Sequence, residues 1–507
     1  MTEQEKIDIF RKINFGAIDA NADPDLESYF IDDDYWEKII ESPVFYVIGK
    51  KGTGKSALYR MFEKYAMDRG ALISNSDFGD FPINNLANLS DDEFAKPNQY
   101  QSIWQQVILN IFTGLIVKSE TADRRNRHFK EIQQYYDLRL GNASDLLRQS
   151  INTVRKNEHS LEVVHAGITP RIATESELSA NYVLDSSNIS EINSRLLKII
   201  TEYFKTCNDA SYIIQFDRLD DTYNQATDIE TYYQIIISLM KAVYKINCQF
   251  RVSGIDNVKV IVYLRTDIID ELGKRDSESA RWDDFTFNLN WAIVNKNDWK
   301  NSLLQRMIDK RISVSLHKNI SIIQLLDSST IRIQRKAYST EQFKDVFKYI
   351  IDHTMHRPRD LIQFCKCIQK ELRKPQCRVI DYRRIKDAEK VFCFWLVNQE
   401  LANEINPIVH DTKNLYSFLK ELGNSTFSFE DFQTKYNNTP SLVAVSTADQ
   451  MVEYLYDIGI LTNVYSTYVP NRHRHVMQFK SKIRNPGPVD KKMKLQIHPG
   501  VWKGIMQ

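Results

Sequence analysis

The chain has 507 residues, and its 67 Lys and Arg nearly balance its 66 Asp and Glu, so the net charge of +1 excludes a uniformly basic nucleic-acid binder. With 42% hydrophobic residues and no stretch approaching the roughly 18 uninterrupted apolar residues of a membrane helix, the composition favours a multidomain globular protein without membrane contact. The charged N-terminus lacks the apolar core of a secretion signal, and the cysteines form no CxxC pair. We therefore expect a cytoplasmic protein with reduced thiols and no zinc site.

The first predicted element with a chemical signature is a buried strand, "PVFYVI", which a glycine-rich loop and a helix follow. Gly49, Gly54, Lys55 and Ser56 complete the pattern G-x-x-x-x-G-K-[ST], which in this context predicts a phosphate site. Glycines let backbone N–H groups turn toward the anion, and the helix N-terminus adds positive charge. Lys55 would reach the β- and γ-phosphates of ATP, and Ser56 would place its hydroxyl on Mg²⁺. The predicted nucleotide-binding residues of the loop are Gly49, Lys50, Lys51, Gly52, Thr53, Gly54, Lys55, Ser56 and Ala57.

A strongly apolar helix, "IWQQVILNIFTGLIV", is predicted next, and the composition then becomes polar from about residue 118 to residue 188. This polar segment is predicted to be an insertion in the core. It contains an arginine cluster, "DRRNRH", which could contact a partner or nucleic acid, although a solvated helix face is favoured.

The stretch "SYIIQFDRLDDTYN" predicts a second buried strand that ends in an acid. Asp217 at its carboxyl end is the predicted ligand of Mg²⁺. AAA+ ATPases place a glutamate directly after this acid, but here the position is occupied by Arg218. Asp220 or Asp221 would orient the attacking water instead, and the sequence does not decide between them. The alternative is a capped turn that is rich in Asp.

A third apolar run, "VKVIVYL", ends at Arg265 and Thr266. Parallel strands that are buried on both faces have such continuous apolar character. P-loop ATPases use a polar residue at this position to sense the γ-phosphate, so Arg265 is a candidate sensor. A surface ion pair of Arg265 is the alternative.

The stretch "HRPRDLIQFCKC" predicts a lid helix whose first turn carries arginines, because proline favours that turn. Arg359 could reach the phosphates with a bidentate grip, and Arg357 is a further nucleotide contact. A salt bridge that closes the lid on the core is the alternative. Arg306 and Arg311 are weaker candidates for an arginine finger that acts on a neighbouring subunit.

The C-terminal sequence predicts three helices and a β-hairpin, which together make a winged helix. From residue 470 to residue 494 there are eight Lys and Arg and one acid. Arg472 and Arg474 at the tip of this basic hairpin could contact DNA phosphates. Packing of the winged helix against the lid or a neighbouring subunit is the alternative.

Taken in order, "FGAIDANADPDLESYFIDDDYWEKII", "VIGKKGTGKSAL", "IQFDRLDD", "VYLRTDI", "RPRDLI", "KIRNP" and "IHPG" resemble a family over nearly the whole chain. The family is that of the bacterial P-loop ATPases first typified by a cyanobacterial protein of unknown role, relatives of the STAND, KAP and origin-recognition-like AAA+ groups. The resemblance implies an α/β P-loop core, with a parallel sheet and helices on both faces, then a helical lid and a winged helix. It also implies a phage-defence or mobile-element context. In AAA-like proteins the N-terminal region packs on the adenine, so Phe15, Tyr29 and Phe30 either enclose the base or simply belong to the core.

These observations predict a P-loop core at residues 1–285 with the polar insertion at about 118–188, a lid with a second sensor at 286–405, and a winged helix with a basic tail at 406–507. The predicted function is an ATP-dependent molecular switch, with slow turnover, in an antiviral-defence or DNA-maintenance module. Its partners would be further copies of the chain, a separate effector, or both. An ATP-gated DNA-binding regulator or loader of the origin-recognition type is the alternative.

Overall fold

The computed structural model describes residues 1–78, 100–141, 189–206, 210–219, 228–293, 298–326, 330–333, 342–405, 409, 411–469, 474–480 and 487–507. It divides into two compact units. The sheet unit is Asp32–Asn290, and the helical unit combines Met1–Ile31 with Trp291–Gln507. No helix in the described ranges has both the length and the apolar character needed to cross a membrane.

The strands are β1 (Tyr46–Gly49), β2 (Leu72–Asp77), β3 (Tyr212–Asp217), β4 (Val258–Arg265), β5 (Thr286–Asn288), β6 (Thr330–Ile333), β7 (Gln342–Asp345), β8 (Thr426–Phe427), β9 (Leu461–Val469), β10 (Arg474–Lys480) and β11 (Lys494–Ile497). The helices are α1 (Glu3–Lys12), α2 (Leu26–Tyr29), α3 (Lys55–Asp68), α4 (Gln101–Lys118), α5 (Arg127–Arg139), α6 (Ile189–Thr206), α7 (Ile229–Val252), α8 (Thr266–Arg275), α9 (Leu303–Leu316), α10 (Ile322–Leu326), α11 (Val346–His353), α12 (Pro358–Leu372), α13 (Tyr382–Trp395), α14 (Ala402–Ile405), α15 (Thr412–Glu421), α16 (Phe429–Asn437), α17 (Pro440–Val443), α18 (Ala448–Asp457) and α19 (Pro499–Ile505). Short 3₁₀ turns lie at Ala20–Ala22 and Ser279–Phe285, and π-helical turns at Trp36–Ile40 and Leu396–Leu401.

The sheet unit is built on a parallel sheet with the strand order β2-β3-β4-β1-β5. The residues of β3 are all buried, which explains the continuous apolar character of this central strand. Because the strands are parallel, their carboxyl ends meet at one edge. At that edge Gly49 of β1 pairs with Arg265 of β4, and Asp77 of β2 pairs with Asp217 of β3.

Helices cover both faces of this sheet. α4 is buried almost all round because α5, α6 and α7 surround it, and this accounts for its apolar sequence. Within the predicted insertion, α5 buries Phe129, Ile132 and Tyr136 in the same core. This part of the segment is therefore packed core, unlike the polar insertion that was predicted, because its apolar residues recur at helical spacing. Residues 142–188 of that insertion lie outside the described residues.

The helical unit includes the N-terminal residues, whereas the predicted division placed them with the P-loop core. α1 buries Ile7 and Phe10 against α12. The Gln369 side chain of α12 then donates hydrogen bonds to the carbonyl groups of Phe10 and Ile13, at 3.0 and 2.7 Å. An amphipathic helix shows which face it buries but not against which unit, so the sequence did not reveal this assignment.

The C-terminal elements α15, β8, α16, α18 and the β9–β10 hairpin follow the order predicted for a winged helix, in a sheet ordered β10-β9-β11-β8. They share one hydrophobic core with the lid helices, so the predicted division at 405 does not separate two cores. The last helix, α19, approaches α13 closely, because a Cβ atom on Gly504 would lie 2.4 Å from the Cys393 carbonyl oxygen. Arg472 lies outside the described residues, and Arg474 is described only as the first residue of β10.

Candidate nucleotide-binding site

The predicted glycine-rich loop connects the end of β1 to the start of α3. Gly52 and Gly54 have φ angles of 79° and 93°, in the left-handed region that glycine adopts without steric cost. The Thr53 hydroxyl donates a hydrogen bond to the Lys50 carbonyl group at 2.7 Å and closes the turn. The loop therefore has the strand–loop–helix geometry that phosphate-binding loops require.

Gly49 is required for a different reason, which is the close approach of its neighbours. A Cβ atom at this position would lie 2.5 Å from the Thr53 hydroxyl oxygen and 3.1 Å from the Leu289 carbonyl oxygen. Leu289 is itself fixed, because its N–H donates to the Ile48 carbonyl group at 2.7 Å. Any larger residue would push the loop out of this position.

The Lys55 ammonium group lies against the loop. It donates hydrogen bonds to the carbonyl groups of Gly49 at 2.9 Å and Lys50 at 3.3 Å, and the residue is 9% exposed. A buried ammonium group beside a turn of backbone, at the N-terminus of a fourteen-residue helix, creates positive potential where a phosphate would lie. Ser56, the next residue of α3, is half-buried at the same helix end.

Asp217 ends β3 and is 2% exposed. A hydroxyl oxygen and a carboxylate oxygen are donors that Mg²⁺ prefers, and Mg²⁺ usually needs few protein ligands besides phosphate and water. Ser56 and Asp217 therefore fit this ion. In the described part of the chain no group of three or more His, Cys, Asp or Glu residues could hold a metal by itself. Asp220 and Asp221 lie outside the described residues.

Arg218 directly follows Asp217 and has a φ angle of 61°, which is uncommon for a residue other than glycine. Its guanidinium group forms an ion pair with Asp77 at the end of the neighbouring strand, at 3.2 Å. Asp77 could not be recognised from the sequence, because β2 is a polar edge strand, "LISNSD", that matches no motif.

Arg265 ends β4 beside Gly49 and forms a two-pronged ion pair with Asp267, with its Nε and Nη2 atoms at 3.0 and 2.6 Å from the two carboxylate oxygens. Burial acts to raise the pKa of Asp267, but the positive charges of Arg265 and Lys55 outweigh it, so the pKa lies below its ordinary value. Both cations therefore act on one carboxylate beside the loop. Arg265 therefore forms an ion pair, which was the alternative to its predicted role as a sensor of the γ-phosphate.

A polar network, buried except at Asn75, lies two residues before the ends of these strands. The Tyr263 hydroxyl donates to Gln215 Oε1 at 2.6 Å, while Gln215 Nε2 donates to Asn75 Oδ1 at 2.9 Å and to the Tyr59 carbonyl group at 3.2 Å. Asn75, Gln215 and Tyr263 each precede a residue of the edge by two positions, and side chains alternate along strands. The network therefore joins three strands and α3 directly under Asp77, Asp217 and Arg265.

The two lid arginines of the prediction lie in the helical unit, where each contacts a carboxylate. Arg357 Nη2 donates to Glu404 Oε2 at 3.1 Å, and Arg359 Nη1 donates to Glu400 Oε1 at 3.1 Å. The Arg357 side chain is 1% exposed and that of Arg359 is 25% exposed. Burial raises the pKa of Asp360 to about 7, although the charge of Arg357 opposes this. With Asp360 protonated, the two arginines and two glutamates leave the cluster neutral.

Several other predicted residues are enclosed within the helical unit. The Arg311 guanidinium group lies 4.0 Å over the Tyr29 ring and donates to the Phe15 carbonyl group at 2.7 Å. Phe15 and Tyr29 are each 2% exposed. Arg311 is therefore inaccessible to a neighbouring subunit, whereas Arg306 is exposed. Phe15 and Tyr29 belong to the core, which was the alternative to enclosing the adenine base.

The strand order, the loop between β1 and α3 and the acid that ends β3 define an α/β P-loop NTPase fold, as the sequence predicted. A helical C-terminal region follows it.

The chain is similar to known proteins in sequence and in structure. Residues 302–399 match a family described as the FunZ-associated C-terminal helical domain. The chain is 22% identical over 494 residues to the putative transposon gamma-delta 80.3 kDa protein of Escherichia coli (strain K12). The aligned region covers 90% of this chain and 62% of that protein. The chain thus spans about three fifths of that relative's length. A crystal structure of Cdc6p from Pyrobaculum aerophilum is similar over 95% of this chain and 93% of that one, at 10% identity and a TM-score of 0.25. At that score the likeness adds nothing to the fold described above.

Proposed function

We propose that this protein binds ATP with Mg²⁺ at the P-loop and hydrolyses it slowly, as a molecular switch. The observation that carries the proposal is the Lys55 ammonium group, buried against a loop that two left-handed glycines turn between β1 and α3. Lys55 can exchange its carbonyl partners for phosphate oxygens, which form stronger, charge-assisted hydrogen bonds. Ser56 and Asp217 would hold Mg²⁺, which would offset the negative charge of the phosphates.

The proposed sensors are Arg265 and Arg359, and Arg357 is a further proposed nucleotide contact. Each would exchange a carboxylate partner for a phosphate group, which suits arginine because its planar fork fits both. The exchange costs least for Arg359, whose side chain is 25% exposed, and most for Arg357, whose side chain is 1% exposed. Asp220 and Asp221 are the candidates that the sequence offers for orienting the water.

Calorimetry with ATP and Mg²⁺, followed by a phosphate-release assay, tests the nucleotide site. We expect Lys55→Ala to weaken ATP binding about 10- to 100-fold, since a hydrogen bond to a charged group contributes about 1.5–3 kcal/mol. Lys64→Ala, on the same helix, is the matched control and should bind ATP like the parent. A parent protein that gives no heat with ATP or GTP would remove the proposal.

The proposed setting is an antiviral-defence or DNA-maintenance module in which this chain works with a separate effector, with further copies of itself, or with both. A relative whose name refers to a transposon supports a mobile-element context. Gel filtration with and without a non-hydrolysable ATP analogue, alone and with the product of the adjacent gene, tests this. An elution volume that never changes would contradict the partner and oligomer parts of the proposal.

An ATP-gated DNA-binding regulator or loader is the second candidate, and the basic stretch at residues 470–494 favours it. The helix that would read DNA in a winged helix, α18, carries acids at Asp449, Glu453 and Asp457 and no Lys or Arg. Lys491 pairs with the first two, at 2.7 and 2.8 Å. DNA contact would therefore depend on Arg472 and Arg474, and replacing both with alanine should abolish binding in a low-salt anisotropy titration. If the parent binds no DNA at low salt, this candidate fails.

A further inference from the structure

Two carboxylates and a guanidinium group lie together at the carboxyl edge of the sheet. Asp77 ends β2 directly opposite Asp217, which ends β3, so the two acids occupy the same level of neighbouring strands. Arg218, the residue after Asp217, pairs with Asp77 Oδ2 at 3.2 Å. This brings a second acid to the proposed nucleotide site.

The strand geometry places both acids on the α3 face of the sheet. Asn75 and Gln215 are hydrogen-bonded to each other on that face, where Gln215 also contacts the Tyr59 carbonyl group of α3. Asp77 and Asp217 follow these residues by two positions and share their face. The charges of both acids reach the Tyr59 hydroxyl of α3, because burial raises its pKa and the charges of Asp217 and Asp77 raise it further. Both carboxylates therefore lie near the same helix as the loop lysine.

The backbone at Arg218 is held in an unfavourable conformation. Its φ angle of 61° belongs to the left-handed region, which is energetically unfavourable for residues other than glycine. Residues held in this conformation are concentrated at functional sites. Arginine has no acceptor and stays protonated, so it cannot take a proton from water as a glutamate in this position could. A carboxylate for that step must come from another position.

We propose that Asp77, in place of Asp220 or Asp221, is the carboxylate that orients and deprotonates the attacking water, and that the Arg218 ion pair restrains it. This inference rests on the proposed ATP hydrolysis. In the step, the water oxygen forms a bond to the γ-phosphorus while the bond from that phosphorus to the β–γ bridging oxygen breaks. The water proton passes to the Asp77 carboxylate and then to the released phosphate. The products are ADP and inorganic phosphate, with no other reactant.

The experiment compares full-length parent, Asp77→Asn, Arg218→Asn, the double variant and a control, for ATP affinity and for turnover. Asparagine tolerates the left-handed backbone, so Arg218→Asn removes the charge and keeps the fold. Asp77→Asn should lower turnover about 100-fold or more with ATP affinity within about threefold, the effect of losing a general base. Arg218→Asn should raise turnover up to about fivefold, as expected for the release of a partly exposed ion pair. The double variant should be as slow as Asp77→Asn, and Asp33→Asn, which breaks the surface pair with Lys38, should match the parent.

Each outcome decides between the inference and the function on which it rests. A parent that hydrolyses ATP while Asp77→Asn turns over at the parental rate overturns the inference and leaves the function standing. Loss of ATP affinity in Asp77→Asn by more than about tenfold would assign Asp77 to binding or folding and also overturn it. If the parent binds ATP without turnover, Arg218→Asn must produce turnover, or the inference falls. A parent that binds no ATP removes both.

Discussion

The network under the site predicts a measurable coupling between Gln215 and Tyr263. Gln215→Leu keeps the volume of the side chain but leaves the wholly buried Tyr263 hydroxyl without the acceptor that lies at 2.6 Å. An unsatisfied buried polar group costs about 1–3 kcal/mol. The Asn75 side chain is exposed and can bond to water, so its loss adds little. We therefore expect the free energy of unfolding of the sheet unit to fall by about 2 kcal/mol.

The cycle is completed by Tyr263→Phe and the double variant. Tyr263→Phe leaves Gln215 Oε1 unsatisfied and should cost about the same 2 kcal/mol. The double variant removes both groups together and leaves neither of them unsatisfied, so it should cost no more than about 2 kcal/mol rather than the additive 4, and this difference is the coupling free energy.

The measurement is native-state hydrogen exchange of the β3 amides, read by mass spectrometry. A chain with two units is not expected to unfold in one step, and hydrogen exchange reports on the sheet unit alone. A loss of about 2 kcal/mol corresponds to about 30-fold faster exchange. Additive effects in the double variant, or parental exchange in Gln215→Leu, would refute the reasoning that this network stabilises the strands of the site.

Three further predictions follow from single positions. Gly49→Ala should displace the loop and weaken ATP binding about tenfold or more, since overpacking costs about 1–3 kcal/mol. Gly487→Ala is the control, because a Cβ atom there would have no neighbour within 4 Å, and it should bind ATP like the parent in the same titration. The folded state holds a proton on Asp360 up to pH about 7, whereas the unfolded state loses it near the ordinary pKa of 3.8, so the stability should fall as the pH rises from about 4 to 7. Asp360→Asn should flatten that part of the plot of melting temperature against pH. Parallel plots for the parent and the variant would contradict this. Arg357→Ala should destabilise the helical unit by about 3–5 kcal/mol, because it leaves the buried Glu404 without its arginine. Arg359, whose side chain is 25% exposed, should give an alanine variant that folds like the parent and loses turnover; equal melting temperatures of the two variants would count against the burial argument.

The sequence predicted the P-loop and the fold class because their determinants are contiguous. Gly49 to Ser56 form one unbroken motif, and a buried parallel strand reads as a continuous apolar run whose end marks the edge of the sheet. Asp217 and Arg265 could be placed at that edge because each directly ends such a run.

The rest of the site depends on which strands are neighbours, and a single sequence does not give that directly. β2 lies at the edge of the sheet and is partly exposed, so it needs no apolar run, and its last residue, Asp77, matches no motif. The pairing of Asp77 with Arg218 became visible only once the register of β2 and β3 was known. The burial of Arg311 could not be predicted for the same reason, because the Tyr29 ring that covers it lies far away in the sequence.

In the proposed switch, a change at the phosphate site would have to pass to the rest of the chain, and both ends of the sheet unit are hydrogen-bonded to strands β1 and β4, which pair with each other beside the loop. The chain enters this unit after residue 31 and leaves it after residue 290. Near the exit, Leu289 is hydrogen-bonded to β1 one residue before the loop. Near the entry, the ammonium group of Lys259 on β4 donates to the carbonyl groups of Ile39, Ile40 and Ser42, at 3.0 Å for the first. Lys259 lies at the opposite end of β4 from the loop, whereas Leu289 is bonded directly before it, so a movement of β1 at the loop would act first on the exit connection, and this is the coupling that the proposed switch needs.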